Sequence, residues 1–135
     1  MPIELFNPSQ LGPPVGFSHA ARAGDLVLTG GQIGCDATGR IVEPGDLVRQ
    51  FARAIRNVGA ALEAAGCRPH DALKLTYYVT DVSAYRASLR AIGEAYRAVF
   101  GRHYPATSLL GVSELFDPDA VVEIECVAVR GAGGP

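Results

Sequence analysis

Two stretches near the end of the chain decide the fold: His103-Tyr-Pro-Ala-Thr-Ser-Leu-Leu-Gly-Val-Ser113 and Val121-Val-Glu-Ile-Glu-Cys-Val-Ala-Val-Arg130. The first is a run of small, hydroxylic and branched residues entered through a proline, and the second alternates strictly between two kinds of residue. Both patterns are typical of β-strands. The link between them, residues 114–120, contains Asp-Pro-Asp, which favours turns, so we expect near-neighbour strands in one sheet.

The second stretch has two distinct faces, because successive side chains of a strand point to opposite sides. One face is wholly apolar and is predicted to be core: Val122, Ile124, Cys126 and Ala128. The other face mixes carboxylates with valines: Glu123, Glu125, Val127 and Val129. A buried carboxylate needs hydrogen-bond donors, since an unpaired charge in an apolar interior is costly. This second face is therefore either a half-solvated surface or a covered face that contains a site.

The remaining periodicities predict four more strands and two helices. The strands cover residues 3–6, 17–22, 26–29 and 72–80, and the second and third form a hairpin. Apolar residues at helical spacing predict one helix over residues 46–65 and another from Asp81 or Ser83 to Phe100. The order β-β-β-α-β-α-β-β indicates an α+β fold, a mixed sheet with two helices packed on one face. We expect a single domain over residues 1–135 with a glycine-rich tail at 131–135, and a self-associating oligomer to cover the other face.

The composition excludes several classes of function. The net charge of −2 supplies no basic field for a phosphate backbone, so nucleic acid is not an expected partner. No apolar run reaches membrane-spanning length and the N-terminus has no leader pattern, so we expect a cytoplasmic protein without membrane contact. The three cysteines, Cys35, Cys67 and Cys126, lack the spacing of a metal site and are predicted to be free thiols.

Five motifs occur in the order found in one known family: residues 16–20 (GFSHA), 29–34 (TGGQIG), 77–81 (YYVTD), 104–106 (YPA) and 122–125 (VEIE) with 127–129 following. They span nearly the whole chain and resemble the Rid family (YjgF/YER057c/UK114). The resemblance implies a chorismate-mutase-like fold and a homotrimer whose clefts between subunits bind small carboxylated metabolites. The best-known members hydrolyse enamines and imines to 2-oxo acids and ammonia, without a metal or organic cofactor.

The chain departs from the active members of that family at several site positions. Their Pro-Ala-Arg motif ends here in Thr107, which offers one neutral hydrogen bond where arginine would grip a carboxylate with two. A tyrosine is replaced by Phe17, a serine by Gly30, and a frequent cysteine by Leu109. Glu123 matches the glutamate thought to position or activate water. The chain thus resembles an arginine-lacking Rid subgroup.

The candidate site residues follow from this resemblance. Glu123 is the predicted catalytic residue, and the predicted substrate-binding residues are Phe17, Gly30, Gly31, Thr107 and Ser108. Each also has an ordinary explanation: a surface glutamate, a glycine bulge, or hydroxylic residues that favour strands. Candidates for a replacement cation are Arg22, Arg102 and His103, although such side chains are usually solvated. Glu125 is expected at the rim, His19 has no assigned role, and Tyr77 and Tyr96 are expected in the core or an interface.

Three functions are compatible with these residues. The first is binding of a small metabolite, with imine or enamine hydrolysis over a substrate range altered by Thr107. The second is a non-catalytic metabolite sensor or partner-binding trimer, which the missing arginine favours and Glu123 opposes. The third, ribonuclease activity, is disfavoured by the acidic balance and by the absence of clustered aromatic and basic residues.

Overall fold

The computed structural model describes residues 1–135. Its seven strands are β1 Ile3–Phe6, β2 Ala20–Ala23, β3 Leu26–Thr29, β4 Gln32–Ile33, β5 Ala72–Val79, β6 Ala106–Gly111 and β7 Val122–Val129. Its helices are α1 Leu47–Ala64, α2 Val82–Ala87 and α3 Leu89–Phe100, with a 3₁₀ turn at Pro69–Asp71. None of these helices has both the length and the apolar character needed to cross a membrane.

All seven strands belong to one mixed sheet, which confirms the predicted α+β fold. Its order is β1-β2-β3-β7-β5-β6, and β4 pairs with β7 beyond the end of β3. β5 and β6 are parallel, and the other pairs are antiparallel. The two stretches that decide the fold are not paired with each other, because β5 lies between β6 and β7 and bonds to both. The predicted hairpin of β2 and β3 is confirmed.

The first predicted helix is confirmed almost to the residue. Asp46 lies outside α1 in an extended conformation and its side chain accepts a hydrogen bond from the backbone N–H of Arg49 at 3.0 Å. This cap satisfies one of the free N–H groups that every helix leaves at its start. At the other end, Gly66 has a φ of +85°, a conformation that glycine adopts without strain and that ends the helix.

The second predicted helix is in fact two helices, separated at Ser88. Asp81 caps α2 by accepting a hydrogen bond from the N–H of Ala84 at 3.0 Å. Ser88 then adopts φ −115° and ψ 16°, outside the helical region, while its N–H still bonds to the Tyr85 carbonyl. Apolar residues at helical spacing continue on both sides of Ser88, so the pattern did not reveal the break. Serine favours helix ends and turns over helix interiors, because its hydroxyl can bond to nearby backbone groups in non-helical conformations. This preference explains why the break falls at Ser88.

The core lies between the helices and one face of the sheet. Helix α1 packs on β7, and α3 packs beside α1. The largest side chains enclosed there without exposure include Phe51, Ile55, Leu62, Leu75, Phe100 and Ile124. On the opposite face no helix covers the sheet, and Ile3, Leu5, Leu26 and Leu28 are between 46% and 71% exposed. The prediction that helices cover one face and leave the other open is therefore confirmed.

Two short elements differ from the predicted boundaries. β2 starts at Ala20 and not at Phe17, because the backbone N–H of His19 bonds to the side chain of Asn7 at 2.9 Å and the preceding residues form bends. β4 is two residues long, too short for any periodicity to show in the sequence. The glycine-rich tail contacts the 3₁₀ turn, where the buried carboxylate of Asp71 accepts a hydrogen bond from the N–H of Gly133 at 2.8 Å.

Candidate functional site

Glu123 lies against a backbone that carries no side chain. It is the second residue of β7, opposite Ile33 of β4 on one side and Tyr78 of β5 on the other. A Cβ atom added to Gly31, between β3 and β4, would lie 2.6 Å from Cδ of Glu123. The carboxylate therefore occupies the space that any other residue at position 31 would fill.

The environment of Glu123 favours its protonated form. Burial raises the pKa of this carboxyl above its usual value, and the nearby charge of Glu125 raises it further. No hydrogen-bond donor of the chain acts in the opposite direction. A half-buried carboxyl with a raised pKa can accept and release a proton closer to neutral pH, as a general base or acid requires.

Glu125 lies on the same face and has a donor of its own. The hydroxyl of Tyr78 donates a hydrogen bond of 2.6 Å to Oε1 of Glu125. This bond, followed by burial, raises the pKa of Tyr78, so the phenol stays a donor. Alternation along β5 places Tyr78 on the same side as Lys74 and Thr76, but the sequence analysis did not connect it to the glutamates. The alternation was a sufficient signal for its face, and the register of β5 against β7 was the missing information.

Ser108 lies on the same face, next to Lys74, a cation that the sequence analysis did not identify as a site residue. Nζ of Lys74, the only lysine of the chain, donates a hydrogen bond of 2.7 Å to Oγ of Ser108. Thr76 pairs with Ser108 on one side and with Glu125 on the other, which places these side chains in one row across three strands. The face opposite the helices thus carries a polar band in the middle of its apolar surroundings.

Thr107 lies on the other side of the sheet from Ser108. Its partner on β5 is Leu75, which is fully buried beneath the helices, whereas Thr107 itself is exposed near the sheet edge. Its hydroxyl donates to the carbonyl of Pro105 at 2.9 Å. Two strand spacings and three residues separate it from Glu123, roughly 14 Å. One chain by itself therefore does not bring these two predicted site residues together.

Phe17 and Gly30 lie on the loop side of the glycine pair. The N–H of Gly30 bonds to the carbonyl of His19 at 2.8 Å, and an added Cβ would lie 3.0 Å from the carbonyl oxygen of Ser18. Phe17 is 55% exposed and its ring meets that of His19 edge to face at 5.3 Å. The structure thus joins the loop of Phe17 to Gly30, and Gly31 to Glu123.

His19 has a structural role that the sequence did not reveal. Its ring is buried, with Nε2 2.6 Å from the carbonyl oxygen of Gly12 and Nδ1 3.1 Å from the amide nitrogen of Gln32. Since the amide can only donate, Nδ1 accepts and Nε2 donates. The imidazole therefore ties the first loop to β4, next to the glycine pair.

Two of the three candidate cations are engaged elsewhere. Nη1 of Arg22 donates to the carbonyl of Ala65 at 2.6 Å and Nη2 to Glu4 at 3.0 Å. Nε2 of His103 lies 2.8 Å from the carbonyl oxygen of Ala72 and the residue is half-buried, so the expectation of a solvated histidine is wrong. Arg102 is exposed. Arg22 and His103 thus already have hydrogen-bond partners within the chain.

Two tyrosines, Tyr77 and Tyr96, and the three cysteines belong to the interior. Tyr77 and Tyr96 are each 6% exposed within the main core, as predicted, and burial raises the pKa of Tyr96 to about 12. The three cysteines are free and buried, which confirms the prediction of free thiols. Burial raises the pKa of Cys126 to about 12, so this thiol stays protonated. No three side chains of the metal-binding kinds converge on one point.

Known proteins resemble this chain over almost its full length. The family model described as endoribonuclease L-PSP matches residues 8–130. A RutC family protein of Pyrococcus horikoshii and a 2-iminobutanoate/2-iminopropanoate deaminase of Salmonella typhimurium are each 36% identical over 124 residues, which is 91% of either chain in both comparisons. The crystal structure of E. coli TdcF with bound serine superimposes with a TM-score of 0.80 at 31% identity, covering 94% of this chain and 98% of that one. Together with the motifs around Gly31 and Glu123, this extent of likeness establishes that the chain belongs to the Rid (YjgF/RidA) family.

Proposed function

We propose that this protein is a Rid-type deaminase that hydrolyses an imine or enamine of a small metabolite to a carbonyl compound and ammonia. The observation that carries this proposal is the Glu123 carboxylate, which lies on the bare backbone of Gly31 and whose pKa is raised by burial and by Glu125. Relatives named as imine deaminases support the reaction class. The three free, buried thiols fit a reducing compartment, and we propose the cytoplasm.

The chemistry needs one proton carrier. Water adds to the imine carbon, and Glu123 accepts a proton from this water while the C–O bond forms and C=N becomes C–N. Glu123 then returns the proton to nitrogen, which gives a carbinolamine. Glu123 next carries the proton of the new hydroxyl to the same nitrogen, so that the C–N bond breaks, the carbonyl forms and ammonia leaves. An enamine first takes a proton on carbon and becomes the imine. Backbone amides near Gly31 and Thr107 orient the substrate, so that the rate gain comes from positioning and a preorganised polar cleft.

We place the complete site between the subunits of a homotrimer. Thr107 and Glu123 are roughly 14 Å apart on opposite sides of the sheet, further than one small metabolite reaches. β6 is an edge strand, and the uncovered face exposes large apolar side chains that a neighbouring copy would bury. Light scattering tests this part of the proposal, and a monomer at working concentration would overturn both the trimer and the intersubunit site.

The substrate of such a site does not depend on an α-carboxylate. The hydroxyl of Thr107 is bonded to Pro105 and offers no bidentate donor pair, and Arg22 and His103 are held by backbone carbonyls. Phe17 and Gly30 contribute no hydroxyl either. These residues favour a neutral or cationic imine over a 2-imino acid.

The test compares two imines generated in place. An amino-acid oxidase supplies 2-imino acids, an amine oxidase supplies imines without a carboxylate, and semicarbazide traps whatever is not hydrolysed. We expect the protein to suppress trapping, more strongly for the imine without a carboxylate. Glu123→Ala should lose at least about a hundredfold in rate, the usual contribution of a general base. Folded wild-type protein that suppresses neither trapping reaction would overturn the proposal.

A matched pair of variants tests the role of position 107. Thr107→Arg restores the planar donors and should raise hydrolysis of the 2-imino acid while leaving the other imine nearly unchanged. Ser113→Arg, at an exposed position after β6, adds the same charge outside the proposed site and should change neither rate. A higher rate of 2-imino acid hydrolysis in both variants would point to an effect of net charge, and not to bidentate binding of the carboxylate by the arginine at position 107.

A metabolite sensor is the second candidate, and Thr107 is the observation that favours it. A ligand that binds the folded state raises the melting temperature by mass action, whether or not it is turned over. A rise in Tm with millimolar 2-oxo acids or amines, without any suppression of trapping, would support the sensor. Retention on RNA at physiological salt, lost on a single arginine substitution, would instead favour the ribonuclease activity that the family description names.

A further inference from the structure

The two glutamates of β7 and one tyrosine of β5 form a compact group on the uncovered face. Glu123 and Glu125 are two residues apart, so their side chains project from the same side of the strand. Tyr78 pairs with Glu123 across the strands, yet its hydroxyl reaches diagonally to Oε1 of Glu125 at 2.6 Å. The tyrosine therefore stands beside one carboxylate and donates its hydrogen bond to the other.

We propose that Tyr78 and Glu125 are positioning residues for Glu123: the Tyr78 hydroxyl fixes the carboxylate of Glu125 beside Glu123, and the negative charge of Glu125 makes Glu123 a stronger base. The inference deepens the proposed function and rests on it for its meaning, because the proton at Glu123 is the one that the hydrolysis moves. It assigns roles to two residues that touch neither water nor substrate in that reaction.

The two carboxylates have different surroundings. Glu125 accepts a charge-assisted hydrogen bond, which stabilises its ionised form. Glu123 is half-buried and has no hydrogen-bond donor within the chain, and both burial and the charge of Glu125 raise its pKa. Burial and the charge of Glu125 thus act on Glu123 together, and two interacting carboxyls can divide acid and base roles.

No charged group of this face other than Glu125 contributes to the raised pKa of Glu123. On β5 the nearest cation is Lys74, whose amine is bonded to Ser108 of β6, and Thr76 lies between it and Tyr78. The neighbouring β4 contributes Ile33 and no titratable side chain. Neither Lys74 nor any other cation contributes to the raised pKa of Glu123. The pair is thus governed by Tyr78, by burial and by mutual repulsion.

The test is a carboxyl NMR titration of the full chain labelled with ¹³C at glutamate. In Glu125→Gln the repulsion is gone, and the titration midpoint of Glu123 should move to lower pH. In Tyr78→Phe the carboxylate of Glu125 loses the bond that fixes it beside Glu123, so the Glu123 midpoint should also move to lower pH, by less than in Glu125→Gln. Matched controls are Glu63→Gln on the exposed side of α1 and Tyr104→Phe, an exposed tyrosine, and both should leave the Glu123 curve unchanged.

The same variants are then assayed for imine hydrolysis against pH. The acid limb of the rate profile should move to lower pH in Glu125→Gln, because Glu123 must be ionised to accept the proton of water. An unchanged Glu123 midpoint in a folded Glu125→Gln protein would overturn this inference whatever the activity. A shifted midpoint without any turnover would overturn the proposed function and leave the coupling standing. If Glu125→Gln does not fold, the Glu123 midpoint in Tyr78→Phe decides the matter, and an unchanged midpoint there would overturn the inference.

Discussion

The two faces of β7 belong to one strand of eight residues and are in different situations. Towards the helices its side chains are at most 2% exposed: Val122, Ile124, Cys126 and Ala128. On the other face the alternate residues are half-buried: Glu123, Glu125, Val127 and Val129. The first face is completed by α1 of the same chain, and the second has no helix of its own. A strand can thus have one face packed in the core of its own chain and an opposite, uncovered face that is available for a site.

This difference separates stability from chemistry. The helix-covered face carries no group that titrates near neutral pH, since burial raises the pKa of Cys126 to about 12. The open face carries two carboxyls, a tyrosine and a lysine: Tyr78 donates to Glu125, Lys74 donates to Ser108, and Glu123 has no donor within the chain. Substitutions on the covered face should therefore act on folding, and those on the open face on the site.

The largest expected effect comes from the covered face. Ile124→Ala removes a fully buried side chain against α1 and should cost about 2–5 kcal/mol of unfolding free energy, through lost burial and the cavity left behind. Val127→Ala, on the half-buried face of the same strand, is the matched control and should cost less. Urea unfolding at fixed protein concentration measures both. Equal costs would mean that the open face is as closely covered in solution as the core, and the comparison would fail.

The sequence predicted the covered face well because its signals are local. A period of two identifies the apolar side of β7, and a helical period with Asp46 before it and Gly66 after it defines α1. Both patterns are complete within 10 to 20 residues. What the sequence did not provide is which strand lies beside which, so β5 between β6 and β7, and the break at Ser88, appeared only in the structure.

The site was predicted less completely for the same reason. Glu123 and the glycine pair were identified by motif, and the structure brings Glu123 and Gly31 into contact. Thr107 and Ser108 were named together, although neighbouring residues of a strand face opposite ways, and they lie on opposite sides of the sheet. Lys74 and Tyr78 were missed because their partners are set by register across strands. The roles of all these residues remain predictions.

Two glycines on either side of β4 sharpen the comparison with a smaller effect. A Cβ at Gly34 would lie 2.6 Å from the backbone oxygen of Gln50, a residue of α1 whose buried side chain bonds to the backbone of Glu43, Asp119 and Val121. Because that backbone is held in place, Gly34→Ala should cost about 1–3 kcal/mol.

At Gly31 the obstacle is the flexible end of Glu123. Gly31→Ala should keep its stability within about 0.5 kcal/mol and lose imine hydrolysis, since the carboxylate must move aside. Thermal unfolding and the semicarbazide assay on both variants give the two readings. A Gly31→Ala protein that unfolds as easily as Gly34→Ala would show that the backbone at position 31 is structural and not part of a site.

The smallest effect is a change of stability with pH that belongs to the open face alone. The pKa of Glu123 is raised on folding, so its stabilising contribution is present below the unfolded value, about 4.3, and is lost as the pH rises through the folded value. Glu123→Gln has no proton to lose, and its stability relative to wild type should therefore increase over that rise in pH.

Asp71 acts with the opposite sign: backbone N–H groups outweigh its burial and lower its pKa, so stability is lost as the pH falls through its folded value. Urea unfolding of wild type, Glu123→Gln and Asp71→Asn from pH 3 upward separates the two contributions. A difference in unfolding free energy between wild type and Glu123→Gln that stays constant with pH would mean that Glu123 is as well solvated as an unfolded glutamate. The open face would then hold no carboxyl with a raised pKa, which contradicts the proposed role of Glu123.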